Sequence, residues 1–204
     1  MNHTNRTFTM TLLVLGLILF LGIHSVRIVA EDWRQQRLHT LGEAAWKGTY
    51  SLLSVAGFAL MVWGYGLARQ SPVVLWEPPV GMRHAAALLT LVSFVLLAAA
   101  YVPGNALKAR LKHPMVLGVK VWALAHLLCN GNLADVVLFG SLLVWAVLSF
   151  RAARLRDAAA VVASELRHTP ASRTLLTVGA GVAAWVVFAF WGHGLLIGVR
   201  PFGV

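Results

Sequence analysis

The chain is short of charge and shorter still of cysteine. One cysteine, Cys129, excludes an internal disulfide. With no Cys-x-x-Cys, no His-x-x-x-His and no carboxylate within reach of His24, His113, His126 or His193 on the same helix face, the sequence offers no structural zinc site. Charged residues are 12% of the 204, against 59% apolar ones, a balance outside that of soluble domains. Acidic residues number 7 and basic ones 17, for a formal net charge of +10. That excess lies between apolar runs, so it is not a nucleic-acid footprint. In a membrane protein such basic loops mark the cytoplasmic side and meet the anionic headgroups of the lipid bilayer.

What the chain does have is long uncharged runs, at residues 7–26, 48–68, 85–107, 121–134, 136–150 and 174–199. The long ones meet the need for about 20 apolar residues to cross a ~30 Å hydrocarbon core. Lipid offers no partner to an open backbone, so the spans must be helices. The expected fold class is therefore all-α: a polytopic integral membrane bundle of about six transmembrane helices, one domain over residues 1–204. The first run ends in His24-Ser25-Val26-Arg27 without a small-x-small cleavage site, which predicts a retained helix rather than a removed signal peptide. Thirteen basic residues fall in loop one, around His113 and after Phe150; the other four, Arg6, Arg69, Arg83 and Arg200, lie near the termini and in loop two. Six spans with both termini outside satisfy that asymmetry.

The fourth span is the weak one. It covers residues 117–128, beginning as early as His113, and carries Lys120 in its inner half. Asn130-Gly131-Asn132 then turns the chain, making spans four and five a short helix-turn-helix hairpin. Asn132 is placed to cap the next helix with Asp135 three residues on, so Asp135 reads as a helix-start residue at the outer face rather than a buried proton carrier. Residues 70–79 read as an outer loop, and 158–164 as a short helix on the inner surface. Trp33, Trp46, Tyr50, Trp63, Tyr65 and Tyr101 fall near span ends, where amphipathic rings anchor at headgroup level. Ser51, Ser54, Gly57 and Gly64 supply small residues for close helix packing.

Histidine is the sharper signal. Of eight, His24, His113, His126 and His193 lie within or at the ends of spans, where a polar ring is costly without a partner or a ligand. Imidazoles from two helices would suit haem iron; a hydrogen bond to a neighbouring helix would satisfy the same ring. On span four, Val119, Trp122, His126 and Cys129 share one stripe, and His113, Leu117, Lys120 and Leu124 another roughly opposite. His113, followed by Pro114 and beside Lys112 and Lys120, reads as a contact for an anion such as a haem propionate or a lipid phosphate. His126 lies deeper. Its neighbour Cys129 reads as a packing residue, because apolar burial raises the pKa of a thiol.

Four segments together resemble the NnrU family of membrane proteins: Ile23-His24-Ser25-Val26-Arg27, His113-Pro114, Ala125-His126-Leu127-Leu128-Cys129-Asn130-Gly131-Asn132-Leu133-Ala134-Asp135, and the stretch from Gly192-His193-Gly194 to Arg200-Pro201-Phe202. The resemblance covers nearly the whole chain. It implies a bacterial inner-membrane protein linked to nitrite and nitric oxide reduction, with respiratory or denitrification reductase components as partners; the charge asymmetry places its termini in the periplasm. It also extends to zeta-carotene isomerase, whose NnrU-type domain binds haem b. Carried over by motif, the haem iron ligands are His24 and His126. Ala123 departs from the isomerase pattern, which has a cysteine there, and so bears on a ligand-switching isomerase mechanism. In a straight six-span arrangement His24 lies near the inner end and His126 near the outer end, on the order of 15 Å apart, so pairing of His126 with His193 is a second possibility. Two other function classes stand beside this one. His113-Pro114 followed by Gly118 also resembles the motif of isoprenylcysteine-type membrane methyltransferases, which use S-adenosylmethionine, although Glu165 alone is a poor substitute for their acidic pair. A non-enzymatic assembly or haem-delivery factor for a respiratory reductase would need only a docking face. The sequence does not decide whether the protein is an enzyme.

Overall fold

The computed structural model describes residues 3–159 and 169–203. These form α1 (His3–Val29), α2 (Glu31–Leu41), α3 (Glu43–Ala68), α4 (Met82–Tyr101), α5 (Ala106–Leu111), α6 (Pro114–Cys129), α7 (Leu133–Ala159), α8 (Ala171–Val187), one π-helical turn (Phe188–Gly192) and α9 (His193–Ile197). The fold is an all-α membrane protein. Among the described residues five helices are long and apolar enough to cross a membrane: Asn5–Val29, Glu43–Ala68, Met82–Tyr101, Leu133–Ala158 and Ala171–Ile197. The expected fourth span is α6. Its 16 residues rise about 24 Å at ~1.5 Å each, short of a ~30 Å core. Of the surface helix expected at 158–164, residues 158 and 159 instead end α7; the remainder, with Glu165, lies outside the described residues.

The chain divides into two compact units, Met1–Glu77 with Gly131–Ser149, and Pro78–Asn130 with Phe150–Val204. In the first, α1 and α3 pack backbone to backbone. A Cβ on Gly16 would stand 2.3 Å from Met61 N, one on Gly57 2.6 Å from Phe20 N, and one on Gly64 2.4 Å from Leu13 N. In a membrane such small residues let dispersion do what water cannot. The basic loop one is itself a helix, α2. Glu31 accepts from Arg34 at 2.9 and 3.0 Å and from Gln35 at 2.8 Å, and these bonds hold its carboxyl below the ordinary value. Gly42, at φ 80°, ends it.

The start of α7 is also fixed within the first unit. Gly131 and Asn132 pair with the outer loop: Leu75 N donates to Gly131 O at 2.8 Å, Leu133 N to Val73 O at 2.8 Å, and Val74 bridges Asn132. Asp135 reaches back to the Asn132 backbone N–H at 3.1 Å and its side-chain amide at 2.9 Å, the reciprocal half of a capping box. It is a helix-start residue, but a buried one, with 2% of its surface exposed. The Tyr65 hydroxyl at the end of α3 donates to its other oxygen at 2.6 Å.

In the second unit α4 is the centre, with α6 on one side and α8 on another. Gly118 of α6 meets Leu97 and Ser93 of α4, and the Ser93 hydroxyl donates to Gly118 O at 2.8 Å. Gly181 of α8 would place a Cβ 2.6 Å from Val95 Cα. Trp185 Nε1 donates to Thr90 Oγ1 at 3.0 Å, so α4 and α8 are joined by a polar bond as well as by packing.

Candidate functional site

His24 lies half-buried near the end of α1. Its Nδ1 is 2.7 Å from the carbonyl oxygen of Phe20, four residues earlier. A carbonyl only accepts, so Nδ1 carries the proton and the lone pair is at Nε2. The ring lies 4.3 Å from that of Phe20, 5.2 Å from Tyr50 of α3 and 6.0 Å from Trp145 of α7, the last edge-on. Three helices thus set the imidazole. Among the described residues no protein group hydrogen-bonds its Nε2.

The local part of this device recurs on α6. His126 Nδ1 donates to the Trp122 carbonyl at 2.8 Å, and the Trp122 ring lies 4.6 Å from the imidazole. The His126 carbonyl in turn accepts from the Asn130 amide at 2.9 Å and lies 3.7 Å from Cys129 Sγ. In each case an aromatic residue four positions before the histidine supplies both the ring beneath it and the carbonyl that anchors it. Histidines that bind metals are held in this way, the second nitrogen fixed so that the first is oriented and basic.

His193 follows the π-helical turn, a feature common at functional sites. Its Nδ1 donates to Val199 O at 2.7 Å, a contact made when Gly198, at φ 74°, turns the chain back. The Phe188 ring meets it edge-on at 5.8 Å.

His113 has another partner. Its Nε2 lies 2.9 Å from Asp157 Oδ2, with Lys112 Nζ 4.0 Å from the same oxygen. An internal carboxylate thus meets one nitrogen of the ring that the sequence marks as an anion contact. Asp157 has no role in the sequence reading. The signal for it is that it stands as an acid in a run otherwise carrying Arg151, Arg154 and Arg156. Lys120 is half-buried on α6, and among the described residues no carboxylate pairs with it.

The expected site residues are therefore divided between the units: His24 belongs to the first, and His113, Lys120, His126 and His193 to the second. Residues 12–201 match the family model described as NnrU protein. The chain belongs to the NnrU family. No curated protein and no solved structure matches it. The matched segment of this NnrU protein includes all five of those residues. Among the described residues, no group of three or more His, Cys, Asp or Glu gathers to hold a metal ion. A haem iron asks less of the protein, since the macrocycle supplies four ligands and the chain only the axial ones.

Proposed function

We propose that this NnrU protein binds haem b, with His24 and His126 as its candidate iron ligands, and serves nitrite and nitric oxide reduction in the bacterial inner membrane. The observation that supports this best is the repeated anchoring of Nδ1 to the carbonyl four residues earlier, which puts the proton on Nδ1 and so the lone pair of each neutral ring on Nε2. The donor set fits the cofactor, because axial imidazoles bind haem in their neutral form. Lys120 would hold a propionate by a charge-assisted bond, while Phe20, Tyr50 and Trp145 set the His24 ring. Bound haem would supply an iron centre whose potential follows its axial ligands and their hydrogen bonds. His193, also anchored through Nδ1, is the alternative partner of His126.

The absorption spectrum of the purified full-length protein tests this. Haem bands are expected in the wild type, and His126→Ala should abolish or shift them. His24→Ala does the same under the first pairing and His193→Ala under the second. No haem in the wild type, or an unchanged spectrum for His126→Ala, overturns the reading; tight S-adenosylmethionine binding without haem would turn it toward a methyltransferase. In the membrane orientation that goes with the proposal, cysteine labelling finds Gln35 cytoplasmic and Trp76 periplasmic.

A further inference from the structure

Beside His24, but not including it, α1 and α7 of the first unit leave an open-sided groove of about 380 Å³ lined by Leu21, Ser25, Gly140, Ser141, Val144, Trp145 and Leu148. Its glycine differs from those of the α1–α3 seam. A Cβ on Gly140 would meet nothing within 4 Å, so the small residue leaves room here instead of closing a contact. The polar groups are equally distinctive. Among the described residues Trp145 Nε1 is the buried side-chain polar atom without a hydrogen-bond partner. Neither the Ser25 nor the Ser141 hydroxyl makes a hydrogen bond there, whereas Ser54 and Thr90 bond to carbonyls of their own helices at 2.7 and 2.9 Å. In hydrocarbon an unmet donor is costly, and lipid chains supply no acceptor.

Depth narrows the acceptor. Along α7, Trp145 lies six residues before Arg151 and Ser141 ten, about 9 and 15 Å at ~1.5 Å per residue. The ester carbonyls of phospholipids stay at the edge of the ~30 Å core, too shallow to reach both donors. The two donors are also one helical turn apart, on one face of α7. We propose that the groove binds the head ring of an isoprenoid quinone, a carbonyl-bearing ring that dissolves within the hydrocarbon, with one carbonyl oxygen accepting from Trp145 and Ser141 and the tail leaving by the open side. Trp145 also meets the His24 ring, but Gly140 and Ser141 are not among the residues set around His24, so their variants test this site separately from haem ligation.

Decylubiquinone is the probe. The full-length protein is labelled with ¹⁵N at its eight tryptophans, and the Trp145 indole signal is assigned by its loss in Trp145→Phe. Titration should shift that proton downfield and saturably as it gains an acceptor. Gly140→Leu, which fills the groove, should weaken binding by about tenfold or more, a change of ~1.4 kcal/mol, and Ser141→Ala by several-fold. Didecanoylphosphatidylcholine should produce no saturable shift. No shift with the quinone, an equal saturable shift with the phospholipid, or quinone binding that both Gly140→Leu and Ser141→Ala leave intact overturns the proposal. Should Gly140→Leu fail to fold, Ser141→Ala decides it.

Discussion

His24 and His126 share one local device and differ in what surrounds it. In both, Nδ1 donates to the carbonyl four residues back and an aromatic ring from that residue lies 4.3 to 4.6 Å away. At His24 two further helices contribute, α3 with Tyr50 and α7 with Trp145. At His126 the neighbouring anchors are close in sequence, Cys129 and Asn130 at the end of its own helix. A histidine can thus be oriented by four residues of one helix, while a closed aromatic setting needs tertiary packing. Changes to helix seams should reach His24, and changes within α6 should reach His126.

The largest effect should come from the α1–α3 seam. Gly64→Leu drives a side chain into the backbone of Leu13, where no rotamer change relieves it, and should cost on the order of 3 kcal/mol or more. Thermal unfolding in detergent measures the loss. Gly140→Leu, placed in open space, should leave the midpoint nearly unchanged. Equal destabilisation by the two would erase the distinction between packing glycines and groove glycines.

Next comes the capping carboxylate that holds α7, and with it Trp145, to the end of α3. Asp135→Ala removes the acceptor of the Tyr65 hydroxyl and of the Asn132 N–H, at a cost of about 2–3 kcal/mol for these two part-buried bonds to a carboxylate. Tyr65→Phe, which removes a single bond to a carboxylate, should cost about 1.5–3 kcal/mol. If Asp135→Ala melts with the wild type, this bond does not hold α7 to α3.

How much of this was open to the sequence depends on how local each feature is. The spans, the weakness of the fourth, the capping role of Asp135 and the stripe of Trp122, His126 and Cys129 follow from periodicity, charge and three- or four-residue spacings. The helical character of loop one is also local, in the Glu31, Arg34 and Gln35 spacing, but its strongly polar composition reads as a loop. Tyr50 and Tyr65 look like headgroup anchors by position, and only the fold shows one against His24 and the other on Asp135. Asp157 stands out locally only as the acid among Arg151, Arg154 and Arg156; its pairing with His113, 44 residues away, needs the fold. The burial of Asp135 likewise needs α3.

A smaller effect should separate the two histidines directly. Trp122→Leu and Phe20→Leu each remove a ring contact to the histidine, worth about 0.5–1.5 kcal/mol. His24 retains Tyr50 and Trp145, so ¹⁵N spectra of the imidazoles should show its Nδ1–H tautomer kept in Phe20→Leu. Loss of that tautomer in Phe20→Leu would mean that the tertiary setting adds nothing to the order of the His24 ring.

The smallest change in stability should come from the His113–Asp157 pair, which has no counterpart in the first unit's histidine setting. Both side chains are 27% exposed, and pairs of that kind contribute about 0–1 kcal/mol, so Asp157→Asn should scarcely alter melting. Its effect on charge should be larger. Removing the carboxylate leaves Lys112 and His113 without their acid, beside Lys108 and Arg110 of α5. Binding of the purified protein to vesicles containing phosphatidylserine should therefore strengthen at low salt and lose that gain as salt rises, since exposed charges are screened over about 10 Å at 0.1 M. A clear fall in melting temperature with no change in vesicle binding would make Asp157 a structural pin for the ends of α6 and α7, and His113 its partner alone.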